Sequence, residues 1–383
     1  MKKILPLLFI VYTCNFNAQT ATTFSFNVNG SAPAGLIPIL NSAALKWSQY
    51  LVIPVPIKVN VFFVNSTSLP FSAITLANGR TNFVGAPYTN FIYPTALANQ
   101  LAGSELNVGE YDMDIYINLA TNYYFGTGKP SISQSDFMST IMHEIGHGLG
   151  FYSSGYVNSS SLGSFGNIPP TALFPLTTSF PWHGQDGYPS IYDKFIIKQS
   201  HNNLVGIATN NSTILGDSIK YRLNYFNGTS YANASNSGQP VKLSGGTGAY
   251  TLGVDLLHIN SSVCNSLMSY CWGNGDTVRK PALWEMGILK EIGWQNNIIG
   301  IEESLMNNNI SVYPNPANNH IEISGTNINS ISLLNLQGEI IINEVNPSNN
   351  NINLENLSNG MYFIKVYIKN DASVITKKII INH

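Results

Sequence analysis

Charge is scarce in this sequence. Only 10% of the 383 residues are Asp, Glu, Lys or Arg, and 18 basic side chains against 20 acidic ones leave a net charge of -2. So few cations cannot build the basic patch that recruits nucleic acid or an anionic membrane, and both partners are excluded. Long apolar runs are missing as well. Beyond the N-terminus no stretch approaches the ~20 residues of a membrane-spanning helix, so no transmembrane segment is expected and the processed chain should be soluble. Cysteine is limited to three residues, Cys14, Cys264 and Cys271.

What is present starts with an address. Met1-Lys2-Lys3 followed by the apolar Ile4 to Tyr12 reads as a secretory signal peptide over residues 1–18, its apolar core too short to span a bilayer. Cys14 follows Val11-Tyr12-Thr13, a poor lipobox, and reads as part of that peptide. In an exported chain the two remaining cysteines, Cys264 and Cys271, lie close enough to form a short-loop disulfide.

At 383 residues the chain exceeds one ordinary compact domain, so two cores are expected, the second one small. Apolar positions Ile37, Leu40, Ala44 and Trp47 recur at helical spacing, Ile57 to Phe63 reads as a strand, Pro94 to Leu101 as a helix, and Tyr111 to Asn118 alternates as a half-exposed strand should. Ser133 to Asp136 fits a capping box ahead of a helix with Phe137, Ile141, Ile145 and Leu149 on one face, ended by Gly148 and Gly150. Residues 151–280 are irregular, with short strand-like runs such as Tyr192 to Lys198. A last helix from Pro281 buries Trp284, Ile288, Leu289 and Ile292 and stops at Gly293. The fold class is α+β over residues 19–295, then a polar linker at 296–309 and short strands suited to an all-β sandwich over 310–383.

The chemistry sits on the third of these helices. His143-Glu144-Ile145-Gly146-His147 places two imidazoles at i and i+4 on one helix face, where both can bind one metal ion. Neutral imidazole suits Zn²⁺, and Glu144 between them is placed to take a proton from a metal-bound water. Gly146, Gly148 and Gly150 each disfavour the helix, so a close approach of backbone, metal or substrate is expected there. A catalytic zinc needs a third protein ligand. His320 and His383 lie in the small C-terminal unit, which leaves His183, with Asp186 nearby, His201 in a polar turn, and His258.

Gly150 after the motif, Gly253 to His258, Met268 within Ser266-Leu267-Met268-Ser269-Tyr270, and a closing Trp284 to Trp294 helix together resemble a metzincin zinc protease. Position 153 is Ser rather than the His of that family's short motif, so the resemblance is to the leishmanolysin-like arrangement, with a long insertion before the third histidine. It implies His258, 111 positions beyond His147, as third ligand of a single Zn²⁺. It also implies a methionine turn at Met268, a mixed sheet with an active-site helix and an irregular second part, and Tyr270 as a stabiliser of the oxyanion. Cys264 and Cys271 bracket that turn. The expected function is an endopeptidase acting on protein, with Glu144 assisting attack of zinc-bound water. The alternatives are a non-catalytic zinc-containing surface adhesin or binding protein, and a zinc hydrolase of another bond.

Val312-Tyr313-Pro314-Asn315-Pro316-Ala317, Leu334 to Gly338, Leu357 to Tyr362 and Lys377 to Ile381 resemble the C-terminal sorting domain of type IX secretion cargo. The resemblance implies a small β-sandwich recognised by the outer-membrane secretion machinery and a secreted or surface-attached protein.

Overall fold

The computed structural model describes residues 23–67, 71–166, 187–220, 224–245, 249–264, 266–269, 271–296, 311–324, 328–345, 351–368 and 374–383. The expected signal peptide, all of the expected linker but Asn296, and His183, Asp186 and Tyr270 lie outside the described residues.

The first unit is organised by a four-stranded sheet of β1 (Phe24–Asn29), β2 (Ile57–Val64), β3 (Ala73–Ala77) and β4 (Met113–Asn118) in the order β1-β2-β4-β3. The first three neighbours run parallel, and β3 lies antiparallel to β4 at the edge. Alternation sets the faces: Ile57, Val59 and Val61 of β2 and Met113, Ile115 and Ile117 of β4 all point into the core. The β4 strand starts at Met113, two residues later than the alternation alone indicates, and Asp112 before it accepts from Lys58 N–H of β2.

Helices α1 (Leu36–Tyr50), α2 (Thr95–Ala102) and α3 (Phe137–Leu149) share that core. The buried stripe of α1 is Leu36, Leu40, Ala43, Ala44 and Trp47, whereas Ile37 is 40% exposed. Starting the stripe one residue earlier turns it by about 100°, which takes Ile37 off the inner face. Helix α3 is buried at every position except His147, so its apolar face is only part of what it hides. Its cap also differs from the capping-box reading: Ser135–Asp136 pairs in extended form with Tyr123–Tyr124, and Asp136 itself is the N-cap, accepting from Ser139 N–H at 3.0 Å. Two fully buried tryptophans hold α3 by its carbonyls, Trp47 Nε1 donating to Met142 O at 3.1 Å and Trp294 Nε1 to Leu149 O at 2.7 Å.

After α3 the chain forms a hairpin (Gly155–Val157 with Gly163–Phe165), a small sheet of Ile196–Lys198, Asn224–Phe226 and Val241–Lys242, and short helices at Thr213–Ile219 and Ala232–Ser235. The strand expected from Tyr192 begins only at Ile196, since Asp193–Phe195 is a 3-10 turn. The closing helix runs Leu283–Ile292, with Gly293 as its C-cap at φ 126°. It buries Met286, Ile288, Leu289 and Ile292, while Trp284 is only partly covered and Glu285 takes the inward position instead.

In the C-terminal unit two antiparallel sheets enclose one apolar core. Ser311–Tyr313, His320–Ser324 and Asn351–Asn353 supply Ile321, Ile323 and Ile352, and the opposing four-stranded sheet supplies Ile331, Leu333, Ile364, Val366, Ile379 and Ile381.

Candidate metal centre

The core of the site is one turn of α3. Its N-terminus is fixed by Asp136, whose buried carboxylate pairs with Arg279, the guanidinium also bonding the Gly126, Thr127 and Gly128 carbonyls. Seven residues on, His143 and four further His147 project from one side, and their Nε2 atoms are 3.0 Å apart. His258, from the turn that precedes Ile259, brings its Nε2 to 3.1 Å from that of His143 and 3.2 Å from that of His147. The structure therefore brings together three of the candidate ligands. His201 is exposed, in a turn at φ 66°, and is not among them.

Each ring is oriented through its other nitrogen. His143 Nδ1 lies 2.6 Å from Leu267 O, His147 Nδ1 2.6 Å from Phe151 O, and His258 Nδ1 3.2 Å from Val254 O. A carbonyl only accepts, so each Nδ1 carries the proton and each Nε2 is left with a bare lone pair facing the other two. Three such lone pairs repel one another, and a cation among them removes that repulsion. Burial keeps the trio neutral: it pulls His143 down to about 3 with help from the His147 charge, pulls His147 down to about 4, and pushes His258 well below its ordinary value, again with both neighbours adding. Neutral, preoriented and convergent, the three rings could hold one metal ion.

Glu144 lies between the first two candidate ligands, 5% exposed. Burial raises its carboxyl to about 7, against the hydrogen bond that Thr75 of β3 donates to its Oε2 at 2.8 Å. Below the candidate ligands Met268 is fully buried, and what crowds the glycines is side chain rather than the backbone, metal or substrate expected. A Cβ on Gly146 would stand 2.5 Å from Met268 Sδ, and Gly150, at φ 129°, would meet Ile292 Cδ1 at 2.5 Å. Cys264 and Cys271 are joined by a disulfide around the turn. Trp272 stands edge-on to His143, ring centroids 5.5 Å apart.

Thr75, the Leu267 carbonyl, Asp193 and Glu285 were not singled out from the sequence. Thr75 and a carbonyl leave no pattern to read. Glu285 does leave one, since an acidic residue on a helix stripe with Ile288, Leu289 and Ile292 is anomalous. Ser153, standing where the short motif has a histidine, donates to Asp193 at 2.5 Å.

Comparison with known proteins adds the address. Residues 311–382 match the family model of the secretion system C-terminal sorting domain. The C-terminal unit is thus a type IX sorting domain, the signal for export to the cell surface or the extracellular space. A second family model, SPBPB7E8-like, matches residues 12–163, less than half of the chain. It takes in β1 through α3, with His143, Glu144 and His147, and stops short of His258. The uncharacterized protein PB7E8.01 of the fission yeast Schizosaccharomyces pombe is 38% identical over 60 residues, 15% of this chain and 10% of its own length. The chain thus matches about a tenth of that relative, and its name states no activity. Among the described residues no helix is long and apolar enough to cross a membrane.

Proposed function

We propose that residues 19–295 are a zinc-dependent endopeptidase with a metzincin-like α+β catalytic domain, exported to act on protein outside the cytoplasm. The observation that carries this reading is the convergence of three Nε2 atoms, on rings whose Nδ1 atoms are committed to carbonyls, beside a buried glutamate. An all-nitrogen, neutral donor set suits Zn²⁺, whose tetrahedral bonds of about 2.0–2.1 Å hold ligand nitrogens about 3.3 Å apart. The trio is within a few tenths of an ångström of that spacing.

When bound, zinc supplies a Lewis acid that polarises a carbonyl oxygen and lowers the pKa of water. Glu144 takes the nucleophile's proton and passes it to the leaving amine, a task suited to a carboxyl raised to about 7. Thr75 holds Oε2, which leaves the second oxygen to carry the proton. The β3 strand that bears Thr75 is an edge strand, with β4 its only strand neighbour among the described residues, and an extended peptide can add to such an edge. This favours a peptide over a compact small molecule. Tyr270 remains in the proposal as the oxyanion stabiliser on resemblance alone.

The test is bound zinc and cleavage of a casein-type substrate, measured on the exported chain. Glu144→Gln should keep one zinc and lose nearly all hydrolysis, and His258→Ala should lose both. A Glu144→Gln protein that cleaves at the wild-type rate removes Glu144 from the mechanism. Zinc without cleavage in the wild type would instead support a non-catalytic adhesin or binding protein, and turnover of esters alone a hydrolase of another bond.

A further inference from the structure

We infer that Glu285 is a positioning residue of the metal centre, acting on His143 through a single peptide group of the Met268 turn. The inference rests on the metal-centre reading above. Glu285 lies on the closing helix, 0% exposed, and among the described residues its hydrogen bonds go to the turn and to Ala282 rather than to a candidate ligand. Its Oε1 accepts from Ser266 Oγ at 2.5 Å and Met268 N–H at 2.6 Å, and its Oε2 from Ala282 N–H at 2.5 Å and Leu267 N–H at 3.3 Å.

A glutamate at the third position of a helix ordinarily reaches back to cap its own N-terminus, and the Ala282 bond does that. One oxygen suffices for capping. The other three donors belong to three consecutive residues of the turn, Ser266, Leu267 and Met268, far from anything the helix needs.

The geometry of the peptide bond links this grip to the ligand. Leu267 C=O and Met268 N–H belong to one planar trans unit, so they point in opposite directions. Glu285 holds the N–H end at 2.6 Å, and the C=O end meets His143 Nδ1 at 2.6 Å. The unit is a rigid strut from carboxylate to ligand. Trp272 Nε1 also donates to Leu267 O, at 3.3 Å, and steadies the same end. An apolar residue at 285 would spare the core a desolvated charge, so a role beyond packing explains the carboxylate better than stability does.

Substituting Glu285→Gln keeps the shape and replaces one acceptor oxygen by an NH₂ group. The Ser266 hydroxyl can turn to accept from the amide, but a backbone N–H cannot, so whichever way the amide turns one N–H of the turn, that of Met268 or that of Leu267, loses its acceptor. The experiment measures zinc affinity by chelator competition and the visible bands of the cobalt(II)-loaded protein, for the wild type, Glu285→Gln, Ser266→Ala and Ile288→Val. Ile288, on the same helix and equally buried, controls for lost packing.

Loss of a group that orients a ligand from behind lowers metal affinity about 10–100-fold, so Glu285→Gln should bind zinc that much more weakly and shift the cobalt bands. Ser266→Ala should move both readouts the same way by less. Ile288→Val should lower the unfolding midpoint and leave both where they were. Wild-type affinity and bands in Glu285→Gln overturn the inference, as does an equal loss in Ile288→Val. If Glu285→Gln does not fold, Ser266→Ala decides, and wild-type behaviour there overturns it. A wild type that binds neither metal sinks the metal-centre reading itself, whereas a binding wild type with an unaltered Glu285→Gln sinks only this step.

Discussion

A methyl group added at Gly146 would test how tightly the Met268 turn is packed beneath α3. Its Cβ would lie 2.5 Å from Met268 Sδ and 3.1 Å from Cε, with Trp47 Cζ2 at 3.6 Å on the other side. Met268 is fully buried on a turn held by Glu285 and the disulfide, so it yields only by leaving its rotamer or by forcing the turn away from the helix. Overpacking of that kind costs about 1–3 kcal/mol. Alanine in place of an interior helical glycine contributes about 1 kcal/mol in the opposite direction. Gly146→Ala alone should therefore fall between neutral and about 2 kcal/mol destabilising. Met268→Ala alone should cost about 2–5 kcal/mol. With Met268 cut back the added methyl keeps only its ordinary contact with Trp47, and Gly146→Ala should then stabilise by about 1 kcal/mol. The double-mutant cycle predicts a coupling of about 1–3 kcal/mol. All five tryptophans precede residue 295, so tryptophan fluorescence, excited selectively over tyrosine, follows this unit alone in urea. Additivity to within about 0.5 kcal/mol would refute the contact.

Two further outcomes can be checked by the same unfolding assay. Replacing Cys264 and Cys271 together by serine releases a loop of sequence separation 7. By chain entropy that constraint is worth about 2.5 kcal/mol, and an unchanged urea midpoint would show that the bridge stabilises nothing. Asp112, fully buried beside the sheet, has its carboxyl pushed up to about 6, chiefly by burial, with the Lys58 N–H bond opposing and the Glu105 charge adding. The folded chain holds that proton more tightly than the unfolded one. Its contribution to stability is therefore complete below about pH 4 and is lost as the pH rises through about 6, about 3 kcal/mol in all. Asp112→Asn should flatten the pH dependence of unfolding across that window, and an unchanged slope would refute the assignment.

How far the site could be read in advance follows from how local each signal is. His143 and His147 share one helical turn, so their common face follows from 3.6 residues per turn and nothing else. The glycines of α3 announce a close approach without saying of what, and the answer is a distant side chain each time: Met268 for Gly146, Met113 for Gly148 and Ile292 for Gly150. His258 could be named only through resemblance, because no periodicity links it to α3. Among the strands, β2 and β4 were legible from alternation. β1 and β3 were not: β3 has five residues and borders Asn78 and Gly79, and β1 begins at Phe24, soon after the expected signal peptide. The cap of α3 was misread because Ser133 and Asp136 fit a local pattern, whereas Arg279, distant in sequence, recruits Asp136 and makes it the cap.

The long spacing between the second and third candidate ligands has a calculable price and a visible compensation. With six positions between ligands, as Gly150 and Ser153 would have allowed, the loop to be closed is short, and with 111 it is long. The extra closure entropy grows only with the logarithm of length and comes to about 2.5 kcal/mol. Ser153, at the position a ligand would occupy in the short form, instead donates to Asp193. The same carboxylate takes Ser154 N–H and Oγ at 2.9 and 2.7 Å and Ser190 N–H and Oγ at 2.8 and 2.9 Å. Hydrogen bonds to a charged group contribute about 1.5–3 kcal/mol each, so two of the five already match the added entropy. They join the chain just beyond α3 to the residues that lead into the strand Ile196–Lys198, and so divide one long closure into shorter ones. From there Ser244 N–H to His258 O at 2.7 Å and Ile259 N–H to Met268 O at 2.9 Å fix the third histidine against the turn. Ser153 is thus part of the brace that lets a candidate ligand arrive from 111 positions beyond His147.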